Sequence, residues 1–130
     1  MTQIEVVALA GLAAIQDGGR PGRMHEGIPP GGALVPELLA RANRAVGNAD
    51  DETAIELFGS LGLAARGGLV TVGTEEGGAR TLRDGEIARI DARRERRVRY
   101  VAVRGGFDVP RVLGGRGESG FSEQNAFLLP

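Results

Sequence analysis

A mostly-β domain follows from three observations on this 130-residue chain. Its 22 glycines are spread along the length rather than gathered in one tract. Short β-branched and aliphatic runs lie between them, and a single stretch carries apolar residues at helical spacing. The spacing of the short runs is that of a barrel or a sandwich. With 42% apolar residues the chain can fill one core, and it has no room for a second independent domain.

Taken in order, Ile4-Glu5-Val6-Val7-Ala8-Leu9 reads as a strand ending at Gly11, and Leu12-Ala13-Ala14-Ile15-Gln16 as a second short extended stretch. A Gly/Pro-rich loop follows from Asp17 to Gly32. Pro36 then opens a segment whose apolar spacing, with a stop at Gly47-Asn48, predicts the main helix over about residues 36–46. Beyond it, residues 53–58, 61–65, 69–72, 86–91 and 98–103 read as short strands. Asp84-Gly85 is a hairpin turn signal, so residues 79–82 are expected to pair with residues 86–90. The charge run Arg93-Arg94-Glu95-Arg96-Arg97 is expected to cap a hairpin in solvent. Periodicity fades after Gly105. We expect one domain over residues 1–116 and an irregular C-terminal tail over residues 117–130.

Composition excludes several kinds of chemistry. With no cysteine there are no disulfides, thiolate nucleophiles or Cys-containing zinc sites, and the single histidine, His25, rules out a multi-histidine metal site. No metal centre is expected. All 16 basic residues are arginine, so the chain offers no amine for a Schiff base, a P-loop or covalent biotin. A formal net charge of -1 gives no basic field of the kind that drives nucleic-acid binding. No run approaches the length of a membrane span, and the start lacks the basic residues of a signal peptide, so a cytoplasmic protein is expected.

The residues that can carry chemistry concentrate in the loop from Gln16 to Pro30. It gathers an amide, the carboxylate of Asp17, the guanidinium of Arg20 and the only imidazole, His25, beside glycines that let main-chain N–H groups approach a ligand. The same residues also allow a purely structural reading, with Asp17 and Arg20 paired across a turn and His25 an ordinary loop residue.

This loop resembles the signature of the KipA family, the biotin-dependent carboxyltransferase subunits related to allophanate hydrolase subunit 2. Gly11, Ile15, Gln16, Asp17, Gly19, Arg20, Gly22, His25, Gly27, Ile28 and Pro29 fall on that signature in register. Three further blocks follow in the family's order: Ala42-Asn43-Arg44-Ala45-Val46-Gly47-Asn48, then Ala54-Ile55-Glu56-Leu57, then the run from Tyr100 through Arg104-Gly105-Gly106-Phe107 to Gly114-Gly115-Arg116.

The resemblance implies a cyclophilin-like β-barrel and the first part of a two-part carboxyltransferase unit. It also implies a KipI-like partner subunit, or self-association, to complete the site, with a small amide, urea or lactam as substrate. No cofactor is expected to be bound covalently; carboxybiotin would be delivered by a separate carrier. In that setting Asp17 or His25 is the proton acceptor and Arg20 the third catalytic group. Gln16, Gly19, Gly27, Pro29, the N–H groups around Gly105 and Gly106, and Arg116 are the substrate-binding groups.

The sequence also departs from the family pattern. Gly31-Gly32-Ala33-Leu34-Val35 stands where the family has Ser-Gly-Ala-Met-Asp, and hydroxyls are lost again around Gly114-Gly115-Arg116-Gly117. Two alternatives to a truncated carboxyltransferase subunit therefore stand. One is a non-catalytic binding or regulatory module that lost carboxylation chemistry, and the other a repurposed small enzyme acting on another carbonyl substrate.

Overall fold

The computed structural model describes residues 1–18, 32–108 and 126–129. Among them are seven strands and one helix: β1 (Gln3–Gln16), α1 (Pro36–Ala45), β2 (Ala54–Arg66), β3 (Val70–Thr74), β4 (Ala79–Leu82), β5 (Ile87–Ile90), β6 (Arg99–Val103) and β7 (Ala126–Leu128). The mostly-β expectation with one helix holds. Pro36 opens α1, Glu37 sits in its first turn and Arg44 in its last, and Gly47 leaves it at φ +83°. No helix among the described residues is long and apolar enough to cross a membrane.

β1 and β2 form a long antiparallel ribbon that the sequence divides into four pieces and the structure joins into two. Gly11 lies opposite Gly59 in the ladder, with φ +112° and +132°. A Cβ on Gly11 would collide with the carbonyl oxygen of Phe58, and one on Gly59 with that of Ala10. The two glycines thus let both strands bend together without breaking the pairing, where the sequence reading takes them as strand ends. A bulge between Val6 and Ala8 gives β1 14 residues against 13 in β2. This extra residue moves the core face of β1 from the even positions Ile4 and Val6 to the odd positions Ala13 and Ile15.

The strand order is β4-β3-β6-β2-β1-β7, with β5 also on β2. The free edge of β2 is shared, residues 55–57 pairing with β6 and residues 61–64 with β5. The hairpin expected between residues 79–82 and 86–90 does not form. The turn at Asp84-Gly85 is present, but it docks on the end of β2: Gly85 N–H donates to Ala65 O at 2.7 Å, Ala65 N–H to Glu86 O at 3.0 Å, and Gly67 N–H to the Asp84 carboxylate at 2.9 Å. Hence β5 runs along β2 while β4 stays with β3. No ladder joins β4 to β5, so among the described residues the sheet is not closed into the expected barrel. Residues 126–128, within the segment read as an irregular tail, pair as β7 with Gln3, Ile4 and Glu5.

One face of the sheet carries the larger core, including Ile4, Val6, Ile55, Leu57, Leu63, Val101 and Val103. On the other face α1 packs Leu39, Ala42 and Val46 against Ala54, Val98, Tyr100 and Ala102. β6 is covered on both sides and alternates between the two cores, which explains why all five of its residues are buried. The run at 93–97 does form a tight turn, with a bridge between Arg93 and Arg96. Two of its arginines are nonetheless engaged: Arg93 with Glu76 and Arg96 with Glu75, each at 3.1 Å.

Candidate functional site

Residue 17 directly follows β1 and residue 33 leads into α1, so the candidate loop is bounded by two stems that the structure describes. Ala33 N–H donates to Asp17 O at 3.0 Å, and Gly18 N–H donates to Asp51 O at 3.0 Å. On the far stem, Leu34 N–H donates to Glu56 Oε2 at 2.7 Å and Val35 N–H to the Tyr100 hydroxyl oxygen at 3.0 Å. That hydroxyl in turn donates to Glu56 Oε2 at 2.6 Å. Four main-chain donors therefore fasten the loop's ends to each other, to the 48–53 connection, to β2 and to β6.

Tyr100 is fully buried. Burial, reinforced by the Glu56 carboxylate that its hydroxyl faces, holds the phenol well above its usual range, so it stays a neutral donor. Its main-chain N–H donates to Glu75 Oε1 at 2.8 Å, which makes one residue the link between two buried carboxylates. Glu75 also receives Arg99 Nη2 at 3.0 Å and Arg96 Nη1 at 3.1 Å.

The connection from α1 to β2 is the hub of the region. Asn43, fully buried on α1, donates through Nδ2 to Glu52 O at 2.9 Å and Asp50 O at 3.3 Å. Asn48 donates through Nδ2 to Val103 O at 2.8 Å and Asn43 Oδ1 at 3.1 Å, and its Oδ1 accepts Gly105 N–H at 2.9 Å. Phe107 N–H donates to Thr53 Oγ1 at 2.8 Å. Residues 48–53 of this connection thus support the loop's first stem, through Asp51, and the corner after β6, through Asn48 and Thr53.

Of the residues singled out in the sequence, Gln16, Asp17, Gly105 and Gly106 are described, and they gather around this hub. Asp17 is buried, 3% exposed. At Gly105 and Gly106 the structure places acceptors already: Asn48 for the first N–H and Val103 O, at 3.0 Å, for the second. Gly106 adopts φ +78°, and a Cβ there would press on the Glu52 side chain. Gly19, Arg20, His25, Gly27, Pro29 and Arg116 lie outside the described residues.

Sequence reasoning quotes Glu56, Tyr100, Asn43 and Asn48 only as parts of family blocks and gives them no role. A signal was present. Glu56 is the one charge inside the apolar run Ala54-Ile55-Glu56-Leu57-Phe58, and Tyr100 is the only tyrosine in the chain; a carboxylate in a buried strand requires a dedicated donor.

A family model described as carboxyltransferase domain, subdomain A and B, matches residues 26–123. No curated protein matches the chain. Among solved structures, TTHA0988 superposes with a TM-score of 0.81 at 22% identity, over 99% of this chain and 31% of that one. The Kluyveromyces lactis urea amidolyase gives 0.79 at 24% identity, over 98% of this chain and 9% of that one. Urea carboxylase of the same organism gives 0.80 at 23%, over 98% and 14%. At these identities the likeness establishes the fold, and the chain spans about a third or less of each of these three proteins.

Proposed function

The chain belongs to the carboxyltransferase-domain family of subdomains A and B, and from that premise we propose that it is a carboxyltransferase-type subunit related to KipA and allophanate hydrolase subunit 2. It binds a small amide, urea or lactam at the loop from Gln16 to Pro30, and another chain completes the site. The observation that carries this reading is the fastening of both loop stems by Asp51, Glu56 and Tyr100. Such pinning fixes the two ends of a functional loop in register.

In this reading Gln16, Arg20 and Arg116 donate to the substrate carbonyl and to the carboxyl group being passed, and Gly19, Gly27 and Pro29 complete the substrate-binding set. Asp17 or His25 accepts the proton that leaves the substrate nitrogen as the new C–N bond forms. Carboxybiotin, brought by a separate carrier, supplies the activated carboxyl group; a chain without lysine holds no biotin of its own. Burial of Asp17 at the stem suits a base kept from bulk water. The N–H groups of Gly105 and Gly106, read from the sequence as substrate-binding, each have an acceptor within the chain. Their part is to hold the corner against Asn48 and Glu52.

That commitment is also the observation favouring a second reading, a binding or regulatory module without transfer chemistry. Leu34 and Val35, where the family pattern has Met and Asp, offer no polar side chain to the stem and make its hydrogen bonds through main-chain groups. One experiment separates the two. The purified chain is combined with a biotin carboxylase, a biotin carrier and a KipI-like subunit, and bicarbonate-dependent ATP turnover is followed with urea or 5-oxoproline. Carboxyltransferase function predicts substrate-dependent turnover that Arg20→Ala and Asp17→Asn abolish. Absence of turnover in every combination, with ligand binding retained, leaves the binding module.

A further inference from the structure

A cavity of about 410 Å³ opens at the end of β3 and β6, lined by Thr71, Thr81, Arg104, Thr2, Leu69 and Leu129 among others. None of its residues belongs to the candidate loop's stems or to the 48–53 hub. Its size is that of a small-molecule site.

Its donors are arranged for an anion. Arg104 uses Nε on Val46 O, 3.1 Å away at the C-terminus of α1, and among the described residues no acceptor takes either of its terminal nitrogens. Thr71 and Thr81 face one another across the β3–β4 ladder with their hydroxyl oxygens 2.9 Å apart. One of the two protons makes that bond, and the other is left to donate outward. No carboxylate is among the described residues of the lining. The lining also includes two leucines, Leu69, 68% exposed, and Leu129.

A guanidinium with two unengaged terminal nitrogens, a spare hydroxyl and two leucines match a short aliphatic acid better than a phosphate. A dianion would call for more than one cation and would gain nothing from the leucines. We propose that this cavity binds a small aliphatic monocarboxylate, its carboxylate on Arg104 and the Thr71–Thr81 pair and its hydrocarbon on Leu69 and Leu129. The proposal is independent of the carboxyltransferase reading, because it uses neither the loop nor a partner chain.

The test is an amide NMR titration of the whole chain with butyrate, with butyramide as the neutral isostere. Saturable shifts at Leu69, Thr71, Thr81 and Arg104 are expected with butyrate and not with butyramide. Arg104→Gln is expected to weaken butyrate at least tenfold. Because that change also frees the end of α1, Leu69→Asp supplies a second variant at an exposed position; its added negative charge is expected to weaken butyrate by a similar factor. Equal shifts with butyramide, no saturation in the millimolar range, or wild-type butyrate binding by both variants would overturn the proposal.

Discussion

Glu75 and Glu56 sit at opposite ends of the same tyrosine and are satisfied in different ways. Glu75, with no exposed side-chain surface, is held by the guanidinium groups of Arg96 and Arg99 and by the main-chain N–H of Tyr100. Glu56, 7% exposed, is held by the Tyr100 hydroxyl and the N–H of Leu34. The first carboxylate is neutralised and joins β3 to β6, so its loss is felt by the fold. The second has only neutral donors and joins the sheet to a loop stem, so its loss is felt locally. A buried charge with cations around it is structural glue, whereas one that recruits two main-chain or phenolic donors positions the segment that carries them.

Breaking the cationic side is expected to cost most. Arg99→Leu leaves Glu75 with one partly exposed cation, Arg96, beside the Tyr100 N–H, and the expected loss is about 3–5 kcal/mol, read by urea unfolding. Tyr100→Phe keeps the ring in the α1 core but removes the hydroxyl shared by Glu56 and Val35. A loss of about 1–3 kcal/mol is expected, with amide exchange accelerated at Leu34 and Val35 and unchanged in β3 and β4. Exchange that rises uniformly would show that the tyrosine acts on the whole fold and erase the distinction.

The pH dependence sharpens the same contrast. Folding raises the Tyr100 pKa through burial, with the Glu56 hydrogen bond adding to it. The folded state therefore keeps a proton that the unfolded state gives up, so stability is fully present below the ordinary tyrosine value of about 10 and falls as pH rises above it. Because this is the only tyrosine, tyrosinate absorbance at alkaline pH is expected to appear together with loss of native circular dichroism; tyrosinate forming in the folded chain would contradict the buried pair. Glu56→Gln, which keeps an acceptor for the hydroxyl, is expected to cost about 1 kcal/mol. Smallest of all is Arg93→Ala. Its partner Glu76 is held below the usual carboxylate range chiefly by the Arg93 hydrogen bond, but both are about half exposed. The loss of stability, read by urea unfolding, is expected to be the least of the set and to vanish in high salt and as pH falls through the Glu76 range.

The helix was legible because Pro36, Glu37, Arg44 and Gly47 each act within a few residues. Strand positions were legible for the same reason, and strand continuity was not. Gly11 and Gly59 look like terminators alone and become a bend only when each has the other opposite it. The Asp84-Gly85 turn was read correctly as a turn, but its partner lies near Ala65, about 20 residues earlier, and no local rule names that partner. In the candidate site, Asp17 was found as a loop carboxylate. The stem anchors were missed because Leu34 and Val35 act through main-chain atoms, which side-chain chemistry does not reveal. The acceptors of Gly105 and Gly106 were not legible either, since the contact from Asn48 to Gly105 spans 57 residues.

The central claim is that the working surface lies between the stems pinned by Asp51, Glu56 and Tyr100. Titrating the isotope-labelled chain with urea and with 5-oxoproline tests it most directly. Saturable amide shifts are expected at Gln16, Asp17, Gly18, Ala33 and Leu34 with at least one of the two, weakened in Tyr100→Phe. Saturable shifts confined to residues far from these stems, or binding indifferent to Tyr100→Phe, would contradict it.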